Sequence, residues 1–286
     1  MTEQARSRVA VVVDSSAYLP PEIVQEHDIH VIPLLLMMGG KSWLDGVDID
    51  PPAFYELLRT SADFPTTSQP NVAAFEELFH RLAGEYSGIL FIAISAKPSG
   101  TFASAQTAAA YVAEVPIEII DSQGTSMLIG YAAMAAARVA AAGASLAEVA
   151  DAARSILAKG HLYFVLGTLE YLHRGGRIGS VSKLLGSALD LKPILSFEDG
   201  VIKAIAKVRT RRKALERVYD LIADSVWQGC RLHVSVINVA APQEAAAFRD
   251  ALVERFHPVE VIETETSPAI GAHAGPGTVG VAFYVE

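Results

Sequence analysis

Apolar positions along this chain come in short runs rich in valine and isoleucine, each closed by a polar turn, and longer segments of helical period lie between them. The run from Ile89 to Ile94 is the clearest: it predicts a buried strand that stops at Ser95. The small residues Ala96 to Thr101 then form a turn, and an alanine-rich helix follows from Phe102 towards Tyr111. Arg8 to Val13 repeats the scheme, ending in Asp14-Ser15-Ser16 before a helix that Leu19-Pro20-Pro21 opens and that runs to about His27. Ile117 to Ile120 does so again, ending in Asp121-Ser122. Val31 to Met38, Gly39-Gly40 and Lys41 to Trp43 predict a hairpin with a glycine turn. Pro51-Pro52 open a helix over Ala53 to Thr60, and a loop from Ser61 to Gln69 leads into a helix from Val72 to Tyr86.

The pattern changes after the amphipathic helix Ser145 to Lys159, so a domain boundary is expected there, with residues 1–159 on one side and 160–286 on the other. Beyond it come a strand over Leu162 to Leu166, helical turns over Leu169 to His173 and a short helix over Ser182 to Leu189. Pro193 to Phe197 and Val201 to Val208 flank the hairpin signal Glu198-Asp199-Gly200. A helix from about Arg211 to Val226, a strand Leu232 to Val239, a helix Pro242 to Phe256 and strands Val259 to Glu263 and Val279 to Val285 complete the chain. The predicted class is α/β in two domains: a mainly parallel α/β N-terminal domain and an α+β C-terminal domain with a mixed sheet.

Composition narrows the partners. Of the 286 residues, 51% are hydrophobic and 19% charged, which excludes disorder. A formal charge of −9 argues against nucleic acid or an anionic membrane as the main partner, but not against a small anion in a local basic pocket. The single cysteine, Cys230, forms no internal disulfide, and no signal-like apolar region precedes the first strand, so the expected compartment is the cytoplasm. Thr125 to Ala142 is almost uncharged, but alanine dominates it and Arg138 interrupts it; it predicts a buried helix rather than a membrane span. The eight histidines are scattered with no Cys/His pair at ligand spacing, so neither metal nor other cofactor is expected.

Candidate chemistry gathers in turns. Ser95 to Thr101 puts hydroxyls and free N–H groups at a strand end and a helix start, where negative charge is favoured. Ser99 also fits a helix cap, or a nucleophile, although G-x-S-x-G is missing around it. Thr66-Thr67-Ser68-Gln69-Pro70 is a second hydroxyl-rich turn before a helix; together the two can clasp one carboxylate or phosphate. In Leu172-His173-Arg174-Gly175-Gly176-Arg177 the glycines fit a helix C-terminus, which leaves Arg177 unexplained. The run Lys207 to Lys213 reads as a solvated basic face, with Arg209 at a strand end where a ligand can sit. Four glycines between Gly271 and Gly280 predict a loop that carries His273.

Taken together and in order, several of these segments resemble the DegV family, bacterial fatty-acid-binding proteins of the FakB type. The segments are Asp14-Ser15-Ser16 with Leu19-Pro20, Thr67-Ser68-Gln69-Pro70, Ser99-Gly100-Thr101, Leu169 to Ile178, Lys192-Pro193-Ile194-Leu195 and His273-Ala274-Gly275-Pro276-Gly277. The resemblance implies one buried long-chain fatty acid between two domains, a protein that is not itself an enzyme, and a partner fatty acid kinase of the FakA type that phosphorylates the bound carboxyl group. Contact with membrane is then at most transient. Carried over, the head-group residues fall on Thr67, Ser99, Gly100, Thr101, Arg209 and His273, and Arg177 falls on a partner-facing arginine. Ala96, Pro98 and Phe102 depart from the family pattern, which leaves Ser95 without a firm role. The alternative is a serine hydrolase with Ser99 as nucleophile and His273 as base; a regulatory ligand sensor is a third reading. The tunnel walls are expected around Ala132 to Ala142 and Ser182 to Leu189.

Overall fold

The computed structural model describes residues 8–184 and 191–286. Its first sheet is built on the two most apolar runs of the N-terminal half. Strands β1 (Val9–Asp14) and β6 (Gly88–Ala93) are buried along their whole length and pair in parallel. Strands β2 (Ile29–Ile32) and β7 (Ile117–Asp121) flank them, giving the parallel order β2-β1-β6-β7. Helices cover this sheet on both sides, as a parallel sheet requires. On one side lie α3 (Val72–Ala83) and α4 (Thr101–Ala109), closing a core of Phe75, Phe79 and Phe91. On the other lie α5 (Met127–Ala141) and α6 (Leu146–Lys159). Alanines along α5 let it sit close to β1, and Ser145 and Glu148 form a capping box that starts α6.

The expected strand Val31 to Met38 is two strands. Pro33 lacks an N–H to continue the ladder; β2 ends at Ile32, and β3 (Leu35–Met38) turns away to pair with β4 (Lys41–Leu44). The expected loop at Thr66 is also a strand, β5 (Thr66–Ser68), which pairs antiparallel with β3 and sets Thr67 opposite Leu36. Short α1 (Pro21–Glu26) follows β1, and α2 (Pro51–Thr60), capped by Asp50, packs Phe54 and Tyr55 beneath the three-stranded sheet β4-β3-β5.

The second half forms one six-stranded mixed sheet in the order β10-β9-β8-β13-β11-β12. Its strands are β8 (His161–Val165), β9 (Lys192–Glu198), β10 (Val201–Val208), β11 (Leu232–Val239), β12 (Glu260–Glu265) and β13 (Thr278–Val285). Only β11 and β12 run parallel; the other neighbours are antiparallel. Helices α8 (Arg211–Ala223) and α9 (Pro242–Phe256) cover one face through Val218, Ile222, Phe248 and Leu252. The opposite face meets α5 through Tyr284, whose ring lies edge-on to Tyr131 at 5.0 Å. The two-part α/β architecture expected from the pattern is therefore the one that forms. Most of the helix expected over Ser182 to Leu189 lies outside the described residues; before it, Gly179–Leu184 is a 3-10 turn.

Two short helices stand between the sheets: α7 (Glu170–Arg174) and α10 (Pro268–Ala274). The latter lies where a glycine loop was expected. Its start signal is ordinary: Ser267 accepts from the Ile270 N–H at 3.2 Å, and Pro268 sits in the first turn. The glycines end the helix instead, Gly275 and Gly277 holding φ of +76° and +80°.

Candidate functional site

The aspartates at the strand ends shape the edge of the parallel sheet. Buried Asp14 accepts from the Ser16 N–H at 3.0 Å and from the Ile94 N–H at 2.7 Å, which ties the end of β1 to the end of β6. Asp121 accepts from the Gln123 N–H at 2.9 Å and the Ala96 N–H at 3.1 Å. The recurring Asp-Ser at strand ends is thus a local turn device in which a carboxylate holds the backbone two residues on. Burial raises the carboxyl group of Asp14 above its ordinary value.

The turn after β6, through Ile94, Pro98 and Ser99, faces the second sheet across a cavity of about 980 Å³, counted out to its open mouth. The body of the cavity is apolar, with Leu162, Phe164, Phe197, Ile202 and Ile237 from the second sheet and Ile270 from α10. Its polar lining includes Thr67, Ser99, Arg177 and His273. No residue of Ala132 to Ala142 lines it; α5 is core, and only Thr125 and Ser126, just ahead of that helix, reach the cavity. Among the described residues the apolar walls come from β8, β9, β10 and β11; most of Ser182 to Leu189, the other expected wall, lies outside them.

His273 occupies the last turn of α10, and its Nε2 is hydrogen-bonded to Thr67 Oγ1 at 2.7 Å. Its Nδ1 is buried and, among the described residues, has no hydrogen-bond partner. Burial, and then the positive charge of Arg177, push its pKa down to about 4, so the imidazole is neutral at pH 7. Gly175, just after α7, makes this packing possible, because a Cβ there would overlap His273 Nδ1. Arg177 lies two residues further on. It donates from Nη1 to the Gly175 carbonyl at 2.6 Å and from Nε to the Pro98 carbonyl at 3.3 Å, so it links the second half of the chain to the Ser95 to Thr101 turn.

In that turn, Ser99 Oγ lies 2.9 Å from Thr101 Oγ1 and accepts from the Thr101 N–H at 3.3 Å. Gly100, not Ser99, occupies the cap position of α4. A Cβ on Gly100 would come within 2.9 Å of the Gln69 side chain, so glycine here lets the two hydroxyl-rich turns meet. Thr101 is fully buried and shapes the turn from beneath. Ser95 faces away from this group: its hydroxyl donates to the Gly200 carbonyl at 2.7 Å and pins the tip of the β9–β10 hairpin to the first sheet.

The structure thus gathers Thr67, Ser99, Gly100, Arg177 and His273 at one polar end. It does not bring Arg209 there. Arg209 is exposed just beyond the end of β10 and lies outside the cavity lining. Arg177, expected at a partner-facing surface, lines the cavity close enough to His273 for its charge to act on the imidazole. Arg211, read as part of a solvated basic face, is a brace: it donates to the carbonyls of Val165 at 2.9 Å and Gly277 at 2.6 Å and pairs with Glu244.

The sequence did not single out Thr125, Ser126 and Thr266, lining residues whose buried hydroxyls have no partner among the described residues. The signal for the first two was the polar pair directly ahead of the alanine-rich helix. A nucleophile and base are not paired, since Ser99 engages Thr101 while the Nε2 of His273 engages Thr67. Among the described residues, no group of three His, Cys, Asp or Glu is placed to hold a metal ion, and no helix is long and apolar enough to cross a membrane.

Comparison with known proteins gives one consistent result. The model of the DegV family, described as uncharacterised proteins, matches residues 8–286. A DegV domain-containing protein of Streptomyces coelicolor is 38% identical over 275 residues, covering 96% of this chain and 97% of its own. The crystal structure of DegV from Bacillus subtilis, a fatty acid binding protein, superposes with a TM-score of 0.92 at 32% identity, covering 98% of this chain and 99% of that one. A fatty-acid-binding DegV family protein from Thermus thermophilus superposes with a TM-score of 0.91 at 30% identity, covering 98% and 100%.

Proposed function

The chain belongs to the DegV family, and from that premise we propose that it binds one long-chain fatty acid, with the carboxylate at the Thr67–His273 end and the acyl chain along the second sheet. The observation that carries this reading is a largely apolar cavity with a polar end lined by Thr67, Ser99, Arg177 and His273. A carboxylate supplies acceptors for Thr67, Ser99 and the imidazole, and it answers the charge of Arg177. The relatives from Bacillus subtilis and Thermus thermophilus, both fatty acid binding, support the same choice of ligand.

Energetics divide the work between the two ends. Burying about sixteen carbons at ~0.8 kcal/mol per CH₂ contributes on the order of 10 kcal/mol before the costs of association. The tail therefore sets affinity, and the polar end orients the carboxylate and offsets its desolvation. In this reading the protein is a cytoplasmic carrier without chemistry of its own. It presents the carboxylate at the cavity mouth to a separate fatty acid kinase, which forms the acyl-phosphate. The resemblance to proteins of the FakB type supports that last step.

Organic extraction of the purified protein followed by mass spectrometry tests the ligand. Close to one intact fatty acid per chain is expected. An empty apolar cavity that also refuses added fatty acid, with ester turnover lost in Ser99→Ala, would instead establish the hydrolase.

A further inference from the structure

A second cleft lies behind the acyl chamber. It spans about 1150 Å³ between the first sheet and the second, open solvent at its mouth included, and Asp121, Gln123, Arg154 and Asp199 line it beside Ile120, Leu128 and Leu157. Arg154 is already engaged by Glu118 and Asp151 there. Two residues line both this cleft and the chamber in front of it: Leu162 and Phe197.

Strand register fixes where these two stand. Thr278 Oγ1 donates to the carbonyls of Ala274 at 3.0 Å and Gly275 at 2.8 Å, which places the start of β13 at the polar end, beside His273. From there β13 runs antiparallel to β8, Val279 facing Val165 and Ala282 facing Leu162. Leu162 is therefore four strand residues from the polar end, roughly 13 Å at ~3.3 Å per residue. The register of β8 on β9, Tyr163 facing Ser196 and Phe164 facing Leu195, sets Phe197 opposite Leu162 on the chamber face. The Phe197 ring packs towards Phe164, 6.4 Å between centroids, and Leu162 is only 5% exposed.

We infer that the cross-strand pair Leu162–Phe197 is the stop that sets the longest acyl chain this protein holds. The inference rests on the fatty-acid reading. A chain that reaches the pair keeps every methylene against apolar wall. One that is longer must displace the Phe197 ring and push its methyl end among Arg154, Asp121 and Asp199. There it gains less burial than in the chamber, because the cleft is open to solvent, and it crowds groups that are hydrated or ion-paired. Each added methylene then forfeits part of the gain of about fourfold in affinity that ~0.8 kcal/mol of burial provides. Affinity is expected to rise with chain length up to the stop and then to fall.

The test is competition among an equimolar set of saturated acids from eight to twenty-two carbons, with the bound fraction read by mass spectrometry. Wild-type protein should show a cut-off at one chain length. Phe197→Ala should move that cut-off longer by two carbons or more, and Phe197→Trp should move it shorter. Phe197→Leu gives the same reading as Phe197→Ala, with a smaller shift, should the alanine variant fold poorly. A cut-off that stays at the wild-type length in the larger and the smaller variants overturns the inference. Wild-type protein that takes up none of the acids overturns the fatty-acid reading instead.

Discussion

His273 and Thr67 meet at 2.7 Å although 206 positions separate them in sequence. One stands in the last turn of a helix that comes after the second sheet's parallel strand pair, the other on a short strand beside the first sheet. Their contact joins the two halves of the molecule at the place where the cavity turns polar, so loss of either side chain changes the same end of the ligand.

Thr67→Val keeps the shape of the side chain and removes its hydroxyl. A hydrogen bond to a charged group contributes about 1.5–3 kcal/mol, so Thr67→Val and His273→Ala are each expected to weaken fatty-acid binding by roughly ten- to a hundred-fold. Arg209→Ala should change it little, since that side chain is exposed outside the cavity. Displacement of a fluorescent fatty acid gives all three numbers.

The protonation of His273 provides a reading independent of affinity. Its pKa in the folded protein is pushed down to about 4 from the ordinary value of 6.5. The folded state thus favours the neutral ring. That stabilisation is fully present above pH 6.5 and is lost as pH falls through 6.5 towards about 4. A bound carboxylate favours the imidazolium, so its binding should raise this pKa. Histidine NMR titration with and without fatty acid reads both values. A ring that titrates near 6.5 in each state contradicts the site.

Gly175→Ala tests the packing behind the imidazole. The added methyl overlaps His273 Nδ1, so the ring must shift and its bond to Thr67 must lengthen. Overpacking of this kind costs typically about 1–3 kcal/mol. A lower melting temperature together with weaker fatty-acid binding is the expected pair of effects, by thermal denaturation and by the same displacement assay.

A buried acid also couples the halves. Asp45 accepts from Ser15 Oγ at 2.6 Å and from the Ala269 N–H at 3.3 Å, and burial pushes its pKa up to about 6. Folding therefore favours the protonated acid. Its contribution is fully present below pH 3.8 and is lost as pH rises through about 6. Asp45→Asn removes this titration, so the stability profile of the variant should be flatter than wild type between about pH 4 and 6. Denaturant unfolding across that range measures it.

Much of the architecture was legible in the sequence because burial writes a direct pattern. β1, β6 and β13 are buried at every position, and their apolar runs coincide with the strands. Pairing partners were less visible. Thr66 to Ser68 carries no apolar signal, and it becomes a strand only because β3 lies alongside it. The helix bearing His273 was hidden by its own glycines, whose count suggested a loop although Ser267-Pro268 announced a helix start. Thr67, Ser99 and His273, which the resemblance and the hydroxyl-rich turns singled out, all line the cavity. Arg177 lines the cavity and Arg209 does not, a difference that spacing along the chain does not reveal because it depends on which turns fold against the sheet edge. The Leu162–Phe197 pair exists only through the pairing of β8 with β9, which neither strand encodes alone.

A crystal structure of the protein with a bound sixteen-carbon fatty acid tests the central claim most directly. The predicted result is a carboxylate oxygen within hydrogen-bond distance of Thr67 Oγ1 and of the His273 ring, with the acyl chain running along the second sheet towards Leu162 and Phe197. A ligand seated the other way round, its methyl end at Thr67, or one lying outside this cavity, would contradict it.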